Sequence, residues 1–414
     1  LKNDIKELRI SIENYQKNFI KKIIINLYNK IFGFILKNQK FFVARTYLGK
    51  IKELLLSFSL FQLPIISVPN IYNLSTEPIL KLRNGYSLNF TPKGDFEKFL
   101  KTEIMNQIPI SFLEGFDEID KIIQKLNFPK TPKSIFVSNS HHKSLLTRYC
   151  AKNADNGCKI IHGQYGGSYG QWDMHWLEKY YKEISDIYLT WGWKDHKNTL
   201  PIGILRPLSS IRKKKRRYNN LLFIGKTIKS YGYSLDSNSG ACQSENYLND
   251  CFSAIKNLRE DIKKNLIVRL KPVGKGWNEK ERFEDLLSES KIDIGKNSIF
   301  SAVKDTKIYF STYNGTGYLE SLSMNIPTVL FSNPFDEKIR NSCLEDFKLL
   351  EENKIYFKDP ILATDHINKV WDDVDAWWYN EDVQRARERF CFKYSRTNSN
   401  LLKNIQEIVK RGSI

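Results

Sequence analysis

Through residues 1 to about 60, apolar positions recur every three or four residues among lysines, as in Phe19-Ile20-Lys21-Lys22-Ile23-Ile24-Ile25. That spacing predicts helix. From about residue 130 the pattern changes to short apolar runs that end in small or polar residues. Ser134-Ile135-Phe136-Val137-Ser138 is the first, Cys158-Lys159-Ile160-Ile161-His162 the next, and Asp186-Ile187-Tyr188-Leu189-Thr190 follows. Helical stretches at 143–153 and 174–184 separate them. Strands alternating with helices predict a parallel sheet. A second series places strands at 220–225, 266–270, 307–311 and 328–331. Trp371-Asp372-Asp373-Val374-Asp375-Ala376-Trp377-Trp378 begins a further helical region. A last helix, about 397–409, carries Leu401, Leu402, Ile405 and Ile408 on one face.

Between the two series lies Arg212-Lys213-Lys214-Lys215-Arg216-Arg217, beside Pro201 and Pro207. So basic a run beside prolines reads as an exposed linker. The expected map is therefore a helical N-terminal segment at 1–60, an α/β domain at 61–205, a basic linker at 206–218, a second α/β domain at 219–395, and a terminal helix at 396–414. Both domains are expected to be doubly wound. Ligands of such sheets bind beyond the carboxyl ends of the strands, so two facing domains would make one cleft.

Composition narrows the class. Hydrophobic residues at 41% and charged residues at 27% are the balance of a folded protein, not a disordered one. No uncharged apolar run reaches about 18 residues, so no transmembrane helix is expected. The start carries no signal-peptide pattern, and a chain beginning at Leu1 fits a missing N-terminal stretch. The six cysteines form no CxxC pair, which points to reduced thiols in a cytoplasmic protein. The net charge of +19 has three readings. Nucleic-acid binding wants a basic stripe within a known motif, and none occurs. Biased Lys, Asn and Ile usage is the second. The third is attraction to phosphorylated donors and anionic membrane surfaces. The basic N-terminal helix fits a peripheral place on a membrane, or packing on its own domain.

Candidate chemistry concentrates in a few segments. In Ser311-Thr312-Tyr313-Asn314-Gly315-Thr316-Gly317-Tyr318-Leu319-Glu320, a strand runs into a small polar turn and a helix starts near Thr316. Hydroxyls and free amides at a helix start suit a diphosphate or phosphodiester. Glu320, one turn on from Thr316, is placed to accept from a ribose or a sugar. A plain strand, turn and capped helix would look the same. The second segment is His162-Gly163-Gln164-Tyr165-Gly166-Gly167-Ser168-Tyr169-Gly170. Its glycines let backbone approach a ligand, and His162 ends a strand with a pKa suited to a general base. An anion-binding cation, or a brace for the loop, are the other readings of His162. Arg269 and Lys271 close another strand and are candidates for donor phosphates. Asn139 and His141, with Gly163, Gln164, Tyr165, Gly166 and Gly167, are candidates for the acceptor side. Glu183 is a second catalytic candidate, while Glu178 reads as solvated helix surface. Asp373-Val374-Asp375 has the spelling of a metal-binding DxD but falls in a helix. No GxxxxGK[ST], HExxH or GxSxG occurs. No metal or cofactor is expected.

Three of these segments, 162–170, 183–193 and 311–327, resemble the transferases of O-antigen and surface-carbohydrate clusters, over about residues 134–394. The resemblance implies a GT-B architecture of two Rossmann-like domains, with a nucleotide-activated sugar donor in the C-terminal one and the acceptor facing the N-terminal one. It implies a glycosyltransferase acting on a glycan or lipid-linked glycan, in the cytoplasm or peripheral at the inner membrane; the missing basic motif already argues against a nucleic-acid partner. A transferase of CMP-linked Kdo or nonulosonic acids fits the same architecture. So does a teichoic-acid-like phosphotransferase using a CDP-alditol. A non-enzymatic basic binding protein is the third class.

Overall fold

The computed structural model describes residues 2–69, 76–85, 89–140, 144–206, 208, 218–231, 236–237, 239–271, 277–287, 291–295 and 298–412, with side chains from residue 19 onward except Ser144. His141 and most of the 206–218 linker lie outside the described residues. The chain divides into two compact units. One is Leu1–His162 with Ile405–Ser413, the other chiefly Gly163–Asn404. The sheets are parallel, one of five strands and one of six.

The first unit is built on strands β1 (Phe41–Val43), β2 (Ser134–Val137) and β3 (Lys159–Gly163). They pair in parallel, with Phe41 opposite Ser134 and Val137 opposite His162. Apart from Lys159, every strand residue is buried, as expected for a parallel sheet covered on both faces. Phe42 packs against Phe128 and Tyr149, with both ring centroids 4.9 Å away. β1 corrects the expectation of an all-helical 1–60 segment. The helix Lys2–Lys37 ends, and Phe41-Phe42-Val43 is recruited as a sheet edge. Three residues are too few to show a period. The helix Leu401–Arg411 is tied to this unit, because Ser134 Oγ donates to the Val409 carbonyl at 2.7 Å.

The second unit carries β4 (Ile187–Thr190) and β5 (Thr199–Pro201), paired in parallel, and the whole six-stranded sheet. That sheet comprises β6 (Asn220–Ile224), β7 (Leu266–Arg269), β8 (Ile292–Asp293), β9 (Thr306–Ser311), β10 (Thr328–Phe331) and β11 (Tyr356–Phe357). Its order is β11-β10-β9-β6-β7-β8. The chain winds one way through β6, β7 and β8 and then the other way through β9, β10 and β11. The reversal falls between β6 and β9, so a crevice opens at their carboxyl ends.

Local sequence explains the boundaries there. The helix Thr316–Ser323 starts directly after the polar turn. It stops at Asn325, which takes the left-handed conformation at φ 56°. The Ile326 amide closes back on the Ser321 carbonyl at 2.9 Å, and Pro327 cannot continue the helix. On the far side of the sheet, Asp359 caps the helix Pro360–Val370 by accepting from the Ile361 and Leu362 amides, with proline at the first helical position.

Candidate active site

The strand reversal puts two short segments side by side, Gly225-Lys226 after β6 and residues 311–317 after β9. They are joined by a relay of hydrogen bonds. The Lys226 amide donates to the Tyr247 hydroxyl, which lies 2.6 Å from Thr312 Oγ1, and Thr312 donates to the Ile224 carbonyl at 2.8 Å. Ser311 Oγ donates to the Tyr313 carbonyl at 3.0 Å. Two of the three hydroxyls expected to meet an anion, those of Ser311 and Thr312, therefore donate within the fold.

The charge here is buried. Lys226 Nζ donates to Glu337 Oε1 at 2.6 Å, with the two side chains 7% and 2% exposed. The other Glu337 oxygen accepts from the Asn314 amide and from Ser332 Oγ, both at 2.7 Å. Asn314 is fully buried, yet neither its Oδ1 nor its Nδ2 has a hydrogen-bond partner among the described residues. Glu320 is 2% exposed. Arg206 Nη1 lies 3.0 Å from Glu320 Oε1, close enough for an ion pair but without the alignment of a hydrogen bond. Burial pushes the Glu320 carboxyl up to about 7, and Arg206 opposes the rise. A buried polar side chain left unsatisfied costs free energy, so Asn314 calls for an explanation, a bound water or ligand among them.

The Gly-rich loop comes to this turn from within the same unit. The Gly167 amide donates to Thr316 Oγ1 at 2.8 Å. A Cβ at Gly167 would stand 2.3 Å from the Gly315 carbonyl oxygen, so only glycine allows the approach. A Cβ at Gly317 would meet the Tyr309 hydroxyl at 2.1 Å. Gln164 is fully buried and spent on its surroundings. Its Oε1 accepts from the Trp191 amide and from Trp193 Nε1, while its Nε2 donates to the Gly166 carbonyl. That corrects its placement as an acceptor-facing residue. Tyr165 and Gly166 are the more open members of the loop.

The carboxylate expectations reverse. Glu178, read as solvated, is 2% exposed on the helix Trp176–Ile184. It accepts from the Gly170 amide at 2.6 Å and pairs with both Arg340, at 2.9 and 3.0 Å, and Lys182, at 3.0 Å. Burial raises its pKa, but Arg340, the Gly170 amide and Lys182 together hold it below the ordinary value. Glu183 sits on the exposed side of that helix, because a spacing of five turns it away from Glu178. His175 caps the helix by accepting the Glu178 amide on Nδ1. Burial, chiefly, drives its pKa down to about 4, between the rings of Tyr169 and Trp172.

In the first unit, the carboxyl ends of β2 and β3 gather Ser138, Asn139, Ser140 and His162. His162 has no exposed surface, and its Nε2 lies 3.0 Å from Ser140 Oγ. Asn139 is 5% exposed, with Oδ1 unpartnered. Arg269 ends β7 paired to Asp293, and Lys271 just beyond is exposed. Asp373 caps the short helix Val374–Trp378 from the surface. No group of three or more His, Cys, Asp or Glu that could hold a metal occurs among the described residues. Lys226, Tyr247, Arg206, Glu337 and Arg340 were missed from sequence. Only Lys226 carried a signal, as the cation just past a strand's end.

These features define a two-sheet, parallel α/β protein with a buried polar site at a strand reversal. The chain belongs to the LIC12162 family of transferases, whose model matches residues 1–408. No curated protein matches it. Among solved structures it is similar to one assigned as a UDP-N-acetylglucosamine 2-epimerase of Listeria monocytogenes, at 9% identity and TM-score 0.42 over 71% of this chain and 76% of that one. It is also similar to the wall teichoic acid polymerase TagF, at 10% identity and TM-score 0.38 over 72% and 83%. MurG of Acinetobacter baumannii matches at 10% identity and TM-score 0.38 over 78% and 89%.

Proposed function

We propose that this transferase is a metal-independent GT-B glycosyltransferase. It moves a sugar from a nucleotide-activated donor to a bacterial surface-polysaccharide acceptor, such as O-antigen or capsule, on the cytoplasmic side of the membrane. The observation that carries the donor half is the pair Asn314 and Glu320, buried side chains with unspent polar atoms beside the first turn of the helix Thr316–Ser323. In this reading the amides of Thr316 and Gly317 receive a phosphate oxygen. Lys226 adds positive charge from the β6 side, and Arg269 and Lys271 from the end of β7. Glu320 accepts ribose or sugar hydroxyls, and Asn314 fixes the ligand's orientation with one donor and one acceptor. Cations and amides, rather than a metal, offset the charge on the leaving phosphate.

His162 is assigned here as a positioning residue. Its ring has no exposed surface, and Nε2 lies 3.0 Å from Ser140 Oγ, which supports this reading. The experiment is equilibrium binding of nucleoside mono- and diphosphates to the wild type and to Asn314→Ala with Glu320→Ala. The double variant is expected to lose at least about a hundredfold in affinity, from two lost hydrogen-bonding groups. Unchanged affinity in a folded double variant removes the donor assignment. Turnover that vanishes in excess EDTA and returns with magnesium or manganese removes the metal-independent mechanism.

A further inference from the structure

We propose that the first unit docks on an anionic lipid surface through the outward face of its N-terminal helix. Over its described side chains, 19–37, the helix Lys2–Lys37 buries one side. Gly33 and Leu36 are buried there, and Ile25, Tyr28, Asn29 and Phe32 are partly so. At 100° per residue, Ile20, Ile24, Leu27, Ile31 and Phe34 fall on the opposite side. They are exposed by 58%, 58%, 56%, 61% and 83%. An outward face of a helix is ordinarily polar; this one is apolar over four turns. In the same unit, the helix Lys50–Ser59 also turns an apolar row outward, namely Ile51, Leu54, Leu55 and Phe58, and Phe61 just beyond it is 93% exposed. Isolated exposed apolar residues need no explanation, but contiguous rows mark an interaction surface.

Charge selects the occupant. Between Asn14 and Lys52 the chain carries nine Lys and Arg residues and no Asp or Glu. On the helix, Lys30 and Lys37 flank the apolar row on one edge and Lys21 on the other. Ile20, Ile24, Leu27, Ile31 and Phe34 also have the 4-3-4-3 spacing of a coiled-coil seam. A second copy paired along residues 20–37 would, however, bring lysines against lysines, with no acid in that stretch to pair them. Anionic headgroups supply the missing counter-charge, and the acyl boundary takes the apolar row. No helix among the described residues is long and apolar enough to cross a membrane, so the face lies on the surface rather than spanning it. The exposed row belongs to the first unit and the proposed donor residues to the second, so docking and nucleotide binding are measured separately.

The test is co-sedimentation of the full chain with vesicles of phosphatidylcholine alone or with 30 mol% phosphatidylglycerol (on the order of natural anionic content), with nucleotide binding measured in parallel. Binding is expected only to the anionic vesicles, and it should weaken as salt rises. Lys21, Lys30 and Lys37→Gln together should weaken it about a hundredfold, at roughly fivefold per cation. Ile24, Ile31 and Phe34→Ser should abolish it. Because all six residues are at the helix surface, the variants should keep the wild-type melting curve and nucleotide affinity. Equal binding to both vesicle types, or no binding to either, overturns the proposal. A wild-type dimer that the serine variant converts to monomer, without vesicle binding, reassigns the face to a second copy. Loss of nucleotide binding with vesicle binding intact would fall on the donor assignment instead.

Discussion

The Gly167 amide donates to Thr316 Oγ1 across 2.8 Å, although the two residues are 149 positions apart. This bond and the Gly167–Gly315 backbone approach join the two most distinctive motifs of the sequence. Gly167→Ala must displace one of the two loops, so it should lower both the melting temperature and nucleotide affinity. Thr316→Val leaves the buried Gly167 amide without its acceptor and should cost about 1–3 kcal/mol. Thr316→Ser should restore most of that. Thermal and denaturant unfolding would check the set, and an alanine variant as stable as wild type would show that the loops do not meet.

Glu320 makes stability depend on pH in an unusual direction. Its carboxyl shifts from an ordinary 4.5 up to about 7. Between those values the folded state holds a proton that the unfolded state has lost, so the contribution of Glu320 to stability is fully present below pH 4.5 and is lost as pH rises through 7. Glu320→Gln should remove that slope and stabilise the protein above pH 7 by up to about 3 kcal/mol. Hydroxyls donating to Glu320 favour its ionised form, so nucleotide binding near pH 7 should release a proton. Calorimetry in two buffers of different ionisation enthalpy would detect the release, and its absence would remove Glu320 from the nucleotide site.

Glu178 and Arg340 form a buried pair that holds the Gly-rich loop through the Gly170 amide. Removing the cation alone leaves a carboxylate buried with only Lys182 to balance it. Arg340→Met should therefore destabilise by about 3–5 kcal/mol. Glu178→Gln keeps an acceptor for Gly170 and should cost less. Equal losses in urea unfolding would contradict this asymmetry.

His162 separates bracing from base catalysis. Glutamine can keep a hydrogen bond to Ser140, so His162→Gln should hold turnover within about tenfold of wild type with an unchanged pH profile. His162→Ala should lose stability as well as activity. A loss of about 10² to 10⁴ in His162→Gln, with the rise of rate with pH abolished, would restore the general-base role.

The periodicities, the turn at 311–317 and the glycines of 163–170 were legible because each depends on neighbours in sequence. Short apolar runs located seven strands within a residue or so of their observed ends, but β1, β5, β8 and β11 are two or three residues long and too short to stand out as runs. The orphaned side chain of Asn314 lay inside a legible motif, yet its burial did not. Only the packed chain could show that Ser311, Thr312 and Gln164 spend their polar atoms on the fold, while Asn314 keeps its own and Glu320 faces Arg206.

By itself, then, the sequence determined two α/β halves, a polar strand-to-helix turn and a glycine loop, since strand, helix and turn propensities act over a few residues. The tertiary structure decided where these meet. The reversal between β6 and β9 follows from strand order, which no local pattern encodes. The Lys226–Glu337 pair spans 111 residues and the Glu178–Arg340 pair 162. A carboxylate's role depends on whether packing leaves it in water or buries it beside a cation, and that choice buried Glu178 against Arg340 and Lys182 and left Glu183 on the surface.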